Sequence, residues 1–135
     1  MVKEQKIILD SSVWISYFIK EDVFHYESIR LINKLLRTGY KVLLPAIVFY
    51  EVINVILRKT EDIAELDKIM ELLKLRDEIV FIEILKDDLL QHLINLAQRF
   101  TLKTSDLIIL SYCDRIKPTI FFTYDKKLLE AYKNC

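Results

Sequence analysis

The sequence predicts an α/β fold, a central parallel sheet with helices on both faces. Three observations carry this. Short, continuously apolar runs recur at Lys6–Leu9, Lys41–Leu44, Ile79–Ile82 and Thr119–Phe122, as expected for strands covered on both faces. Between them lie longer stretches with apolar residues at helical spacing, not tight turns, so the strands need crossover connections. One glycine and two prolines in 135 residues leave little room for irregular loops.

The elements follow in order. Lys6–Leu9 is a strand, and Asp10-Ser11-Ser12 are capping residues for a first helix over Val13–Ile19. Tyr26, Ile29, Ile32, Leu35 and Leu36 mark the apolar face of a second helix, which Gly39 ends. After Lys41–Leu44, Pro45 suits the first turn of a helix reaching about Arg58. Ile63, Leu66, Ile69, Met70 and Leu73 form another amphipathic face before the strand Ile79–Ile82. Leu89, Leu90, Leu93, Ile94, Ala97 and Phe100 mark the next helix, with Asp87 and Asp88 in its first turn as solvated surface. Thr104 or Ser105 caps a helix over Asp106–Arg115, and Asp125 opens a terminal helix after Thr119–Phe122. No repeat, linker or low-complexity tract interrupts the chain, so residues 1–135 read as a single domain.

Composition narrows the function. Hydrophobic residues make up 53% and charged residues 30%, which excludes a disordered chain. The formal net charge is zero, so nucleic acid would have to be bound at a local site, not by a basic coat. Cys113 lies in an apolar helical run and Cys135 at the chain end, with neither zinc-site nor disulfide spacing, which points to a reducing, cytoplasmic setting. The charged start runs straight into a strand and has no signal-peptide pattern, and the longest apolar stretch is too short to span a membrane.

Parallel sheets present their chemistry at the carboxyl ends of the strands. Asp10 and Asp125 fall at two such ends and can meet in space, although each alone also reads as a helix cap. Glu51 sits in Ala46–Leu57, a helix apolar almost all round, where an unpaired carboxylate is costly. With Asn54 and Arg58 it forms one polar stripe, which lines either a cleft or the solvent face. Asp106 opens a second nearly all-apolar helix, either as a favourable first-turn charge or as part of a site. Crowded carboxylates repel unless a cation lies between them. Magnesium takes oxygen ligands and could activate a water against a phosphodiester. Arg58, Lys59, Lys126 and Lys127 are the basic residues near these positions in sequence, as phosphate contacts or as ordinary surface.

The segments Ile7-Ile8-Leu9-Asp10-Ser11-Ser12-Val13-Trp14-Ile15, Pro45–Val52, Thr104-Ser105-Asp106-Leu107-Ile108 and Thr123-Tyr124-Asp125 together resemble the PIN-domain family. In size and layout the chain is similar to the VapC-type toxins of toxin–antitoxin pairs. The resemblance implies a three-layer α/β/α sandwich with a central parallel sheet of four or five strands and Mg2+- or Mn2+-dependent cleavage of RNA, with Asp10, Glu51, Asp106 and Asp125 as the metal-holding, catalytic cluster. Ser12 and Thr123 would support it by hydrogen bonding. It also implies a homodimer and a small antitoxin protein as partner. Ser12 stands where many relatives carry Asn, and Leu107, Ile108, Ile109 and Leu110 are bulky where relatives are small. The short segment after the terminal helix leaves little room for a fifth strand. A Rossmann or P-loop protein would need a glycine-rich phosphate loop, and a phosphatase of the haloacid type would need Asp in place of Ser12. The remaining alternative is a catalytically inactive PIN-like protein-interaction module.

Overall fold

Four short strands form one sheet: β1 (Lys6–Leu9), β2 (Lys41–Pro45), β3 (Ile79–Ile82) and β4 (Ile120–Phe122). The computed structural model describes residues 5–60, 63–83 and 86–135. Residues 1–4 and the side chains of Ile63, Asp87, Asp88 and Leu89, which entered the sequence reading, lie outside the described residues. The strand order is β3-β2-β1-β4, and all three pairings are parallel. The chain therefore builds outward from β1 through β2 to β3, then returns to place β4 on the other side of β1. That reversal makes the carboxyl ends of β1 and β4 the switch point, where open α/β sheets bind ligands.

Helices connect the strands: α1 (Ser11–Phe18), α2 (His25–Arg37), α3 (Ala46–Thr60), α4 (Ile63–Leu75), α5 (Lys86–Arg99), α6 (Thr104–Ile116) and α7 (Lys126–Lys133). The main core joins Ile7, Ile8 and Leu9 of β1 to Val13 and Trp14 of α1, Val48, Val52 and Ile56 of α3, and Ile109 of α6. Leu96, Leu110 and Ala131 form a smaller core that ties α5, α6 and α7 together. Apolar strands covered by helices are the expected three-layer sandwich, with four strands among the described residues. No described helix is long and apolar enough to cross a membrane.

Several local expectations shift. Pro45 is the last residue of β2, paired with Ile82, and α3 begins only at Ala46. The β1–β2 pairing ends at Leu43, so a residue lacking its N–H is tolerated two positions later. Ile32 and Leu35 face inward as expected, but Tyr26 is 73% exposed and His25 and Ser28 complete the inner face of α2. Leu90 and Ile94 are likewise exposed, while Leu96 carries the buried face of α5. Helical periodicity was right in both places, but the phase is chosen by which neighbour the helix meets. Gly39 ends α2 with φ +78°, a left-handed conformation that a side chain resists. Cys113 is buried and Cys135 exposed, both as free thiols.

The packing makes a test of that phase. Ile109→Ala, at a fully buried position, should cost about 2–5 kcal/mol in urea unfolding. Ile94→Ala, at a position 44% exposed, should stay within about 0.5 kcal/mol. Equal losses would place α5 in the wrong rotation.

Candidate active site

Asp10 stands between β1 and α1 at the switch point. Pairing of β1 with β4 sets Leu9 beside Phe122, and the Asp10 N–H continues the ladder to the Phe122 carbonyl at 3.0 Å. Asp10 occupies the N-cap position of α1 with extended dihedrals, yet its side chain makes no cap hydrogen bond. Its Oδ2 accepts from Thr123 Oγ1 at 2.7 Å and from Ser12 Oγ at 3.0 Å. Both hydroxyls accept backbone donors in turn, Asp125 N–H on Thr123 Oγ1 at 3.0 Å and Tyr124 N–H on Ser12 Oγ at 3.2 Å. A hydroxyl has one hydrogen, so both point theirs at the same carboxylate oxygen. Asp10 is 3% exposed, and this network holds it rigidly.

Asp125 behaves differently. It is the N-cap of α7, and its Oδ1 accepts from the Lys127 and Leu128 amides at 2.9 and 3.1 Å. Here the plain capping role is fulfilled by one oxygen of the carboxylate. The Lys126 and Lys127 side chains are exposed, as are Arg58 and Lys59.

The remaining two carboxylates come from buried helices. On α3, Val48, Val52 and Ile56 face the core, and Glu51 sits beside this line, partly withdrawn from solvent. Asn54 and Arg58 are exposed, so the stripe has one inner end and two outer members. On α6, Asp106 is buried in the first turn with Ile109, Leu110 and Cys113 behind it. Burial pushes both carboxyls above their usual range, Asp106 to about 6. Asp10 raises both further, and Asp125 and Glu51 also act on Asp106. Four carboxylates distant in sequence therefore share one electrostatic neighbourhood.

Lys103 opposes the crowding, lowering both Glu51 and Asp106, and the nearby Ser105 and Ser11 hydroxyls also lower Glu51. The net shift remains upward. Lys103 was missed in the sequence because it lies outside the acidic segments. Its signal was its place three residues before Asp106: it is the N-cap of α6, and neither Thr104 nor Ser105 caps. Lys103 makes no side-chain cap bond, so the cap position offers the first amides of α6 no side-chain acceptor.

Would a divalent cation fit? Among the described residues no three His, Cys, Asp or Glu side chains close into a finished metal cage. Magnesium does not need one, since it keeps several waters and takes only one or two carboxylates. The donors are all oxygens, and Glu51 Oε1 is fully buried without a hydrogen-bond partner. A buried, unsatisfied carboxylate oxygen beside other carboxylates is the arrangement a hard cation relieves. The residues fit the group.

Fold and site together define a parallel α/β protein with an acidic cluster at its switch point. The chain belongs to the PIN domain family, whose model matches residues 7–134. Its structure is similar to that of VapC20 from Mycobacterium tuberculosis, described as a sarcin-ricin loop cleaving toxin, at 16% identity and TM-score 0.74 over 93% of this chain and 94% of that one. It is similar also to VapBC2 from Rickettsia felis, solved with a DNA fragment from its promoter, at 14% identity and TM-score 0.69 over 94% and 93%. A chain of a toxin–antitoxin complex from Klebsiella pneumoniae matches at 18% identity and TM-score 0.59 over 90% and 88%. At these identities the likeness is one of fold. A comparison with curated protein sequences gives no match.

The raised carboxyl of Asp106 has a consequence for the metal-free protein. A carboxyl with a folded pKa of about 6 and an ordinary value of 3.8 stabilises the fold below pH 4 and loses that contribution as pH rises through 6. Asp106→Asn removes the charge and keeps the shape. In chelator at pH 7.5 it should be more stable than the parent by about 1–2 kcal/mol, after discounting for solvent screening. The difference should close near pH 4, as read by thermal melts across pH. A variant less stable than the parent at both pH values would show that burial and the neighbouring acids do not disfavour the Asp106 charge.

Proposed function

We propose that this protein is a Mg2+- or Mn2+-dependent ribonuclease acting in the cytoplasm as the toxin of a VapBC-type toxin–antitoxin pair. The observation that carries the reading is Asp10 held at the switch point by Thr123 and Ser12, with Glu51 and Asp106 raised in part by its charge and Glu51 Oε1 buried and unsatisfied. PIN-family membership and the toxins among its structural neighbours support it.

Asp10, Glu51, Asp106 and Asp125 would hold the ion between them, some directly and the rest through its waters, and it would supply an activated water and charge stabilisation at the phosphodiester. The protein's own residues do the positioning. Thr123 and Ser12 hold Asp10 in one orientation, so its other oxygen, Oδ1, has only the long 3.4 Å bond from Ser11 Oγ. Such supporting donors fix a ligand's direction and basicity. Lys103 places a positive charge beside Glu51 and Asp106, where a substrate phosphate would replace some of the acids as its partner. Recruitment is then local, which suits a chain of zero net charge.

A homodimer and a small antitoxin belong to the same reading. Tyr50 and Phe81 are exposed and border a groove with Ala46, Phe49, Ile82 and Glu83, an apolar surface suited to a protein partner.

Mixed RNA substrates should be cut with magnesium or manganese and left intact in chelator. Asp10→Asn and Asp106→Asn, checked for folding, should each lose more than the ~10–100-fold typical of supporting residues. Manganese should also raise the melting temperature of the unmodified chain. Absence of both cleavage and metal stabilisation would instead favour an inactive interaction module. Lys103→Met should raise KM several-fold and flatten the salt dependence of binding by about one unit, with kcat little changed. An unaltered salt slope would remove Lys103 from the phosphate path.

A further inference from the structure

Next to the acidic cluster lies a short ladder of aromatic rings that the metal chemistry does not use. Tyr124 separates Thr123 from Asp125, and its amide donates to Ser12 Oγ, the hydroxyl that donates to Asp10. Its ring meets Phe122 edge-on, with centroids 5.4 Å apart and planes at 87°. Its hydroxyl bonds Ser28 Oγ at 2.8 Å, which fixes the ring's rotation. On the Tyr124 ring lies Phe24, face to face, with centroids 4.1 Å apart and planes 7° from parallel.

Phe24 ends the turn between α1 and α2, and the turn is well tied. Asp22 Oδ1 accepts from the Phe24 amide at 2.9 Å, and the His25 ring bonds the Ser16 carbonyl at 2.8 Å. Phe24 is nevertheless 37% exposed, beside Val23 at 86% and Tyr26 at 73%. A hydrogen-bonded turn that stacks an aromatic ring on Tyr124 yet leaves it partly in solvent, beside two more exposed side chains, keeps apolar exposure that folding alone does not require. Its inner neighbour is two hydrogen bonds from Asp10.

We infer that Phe24 is a base-stacking platform, on which a nucleobase flanking the cleaved bond continues the Phe122–Tyr124–Phe24 ladder. The inference rests on the nuclease reading and names its substrate class. Bases in a duplex have both faces covered, so the platform selects single-stranded or looped RNA, with an unstacked base beside the cut. Every base offers a π-face, so the contact favours strandedness over sequence. Asp10 and its neighbours act on the phosphodiester, and Phe24 sets where along the strand that bond comes to rest.

The test compares the full chain with Phe24→Leu, which keeps apolar packing, and Phe24→Trp, which keeps the aromatic face. All three are first matched for thermal stability. Two quantities are read: KM for a single-stranded RNA with magnesium, and quenching of a 2-aminopurine in that RNA on binding in chelator. Phe24→Leu should raise KM about 5- to 50-fold and abolish the quenching, while Phe24→Trp should preserve both. Annealing the complement should erase the difference between variants. Cleavage by all three chains with equal KM and equal quenching would overturn the platform and leave the nuclease standing. Quenching that depends on Phe24 in a chain that cuts nothing would uphold the platform and sink the nuclease.

Discussion

The site hangs on one hydrogen bond, from Thr123 Oγ1 to Asp10 Oδ2 at 2.7 Å. It joins the carboxyl ends of β1 and β4, which are neighbours only because the chain reverses direction across the sheet after β3. The backbone prepares it: the Asp10 amide is already bonded to the Phe122 carbonyl, so the side chains of Asp10 and Thr123 start side by side. From Thr123 the network runs to the Asp125 amide, and from Ser12 to that of Tyr124. Both acids at the switch point, and the aromatic ladder between them, are thus positioned by one pair of strands. Glu51 and Asp106 are added from helices that the core holds against that sheet.

This placement has an energetic cost that the hydrophobic core must cover. Burial raises Glu51 and Asp106, and their acidic neighbours raise them further. Lys103 offsets only part of this. The helices resist because their other faces are fully committed: Val48, Val52 and Ile56 on α3, and Ile109 and Leu110 on α6, are almost wholly buried. Proteins commonly sacrifice stability at a functional site in this way and recover it elsewhere. The bulky residues after Asp106 belong to that recovery, since Ile109 and Leu110 supply the centre of both cores.

Much of this was legible before any coordinates. Four apolar runs separated by helical patterns were enough for a parallel sheet, because such runs need cover on both faces. Glu51 stood out because its helix offered it no cheap environment. What escaped were matters of phase and of tertiary partners. Tyr26, Leu90 and Ile94 fit a helical period yet face outward, because periodicity does not say which side of a helix the core will take. Pro45 carries two local meanings, helix start and strand end, and only the reach of the β1 pairing decides between them. The Phe24–Tyr124 stack joins residues a hundred positions apart that no local rule connects.

Asp10 and Asp125 show where local reading stops. Both follow a strand, both precede a helix, and both sit in extended N-cap geometry. The same chemistry recommends both as caps, yet only Asp125 accepts hydrogen bonds from the amides of its helix. The difference is made by neighbours. Asp10 has two hydroxyls from its surroundings, and two hydrogen bonds to Oδ2 outweigh the bonds it would make as a cap. Thr123 Oγ1 serves Asp125 only by accepting its amide, because its one hydrogen is already spent on Asp10. Asp10 is held jointly by Thr123 after β4 and by Ser12 in the first turn of α1, so its direction depends on the junction of the two. An acid that also caps is tied to the start of α7. The cluster thus combines one carboxylate tied across the β1–β4 junction, one tied to a helix start and two set on helices whose other faces are buried in the core.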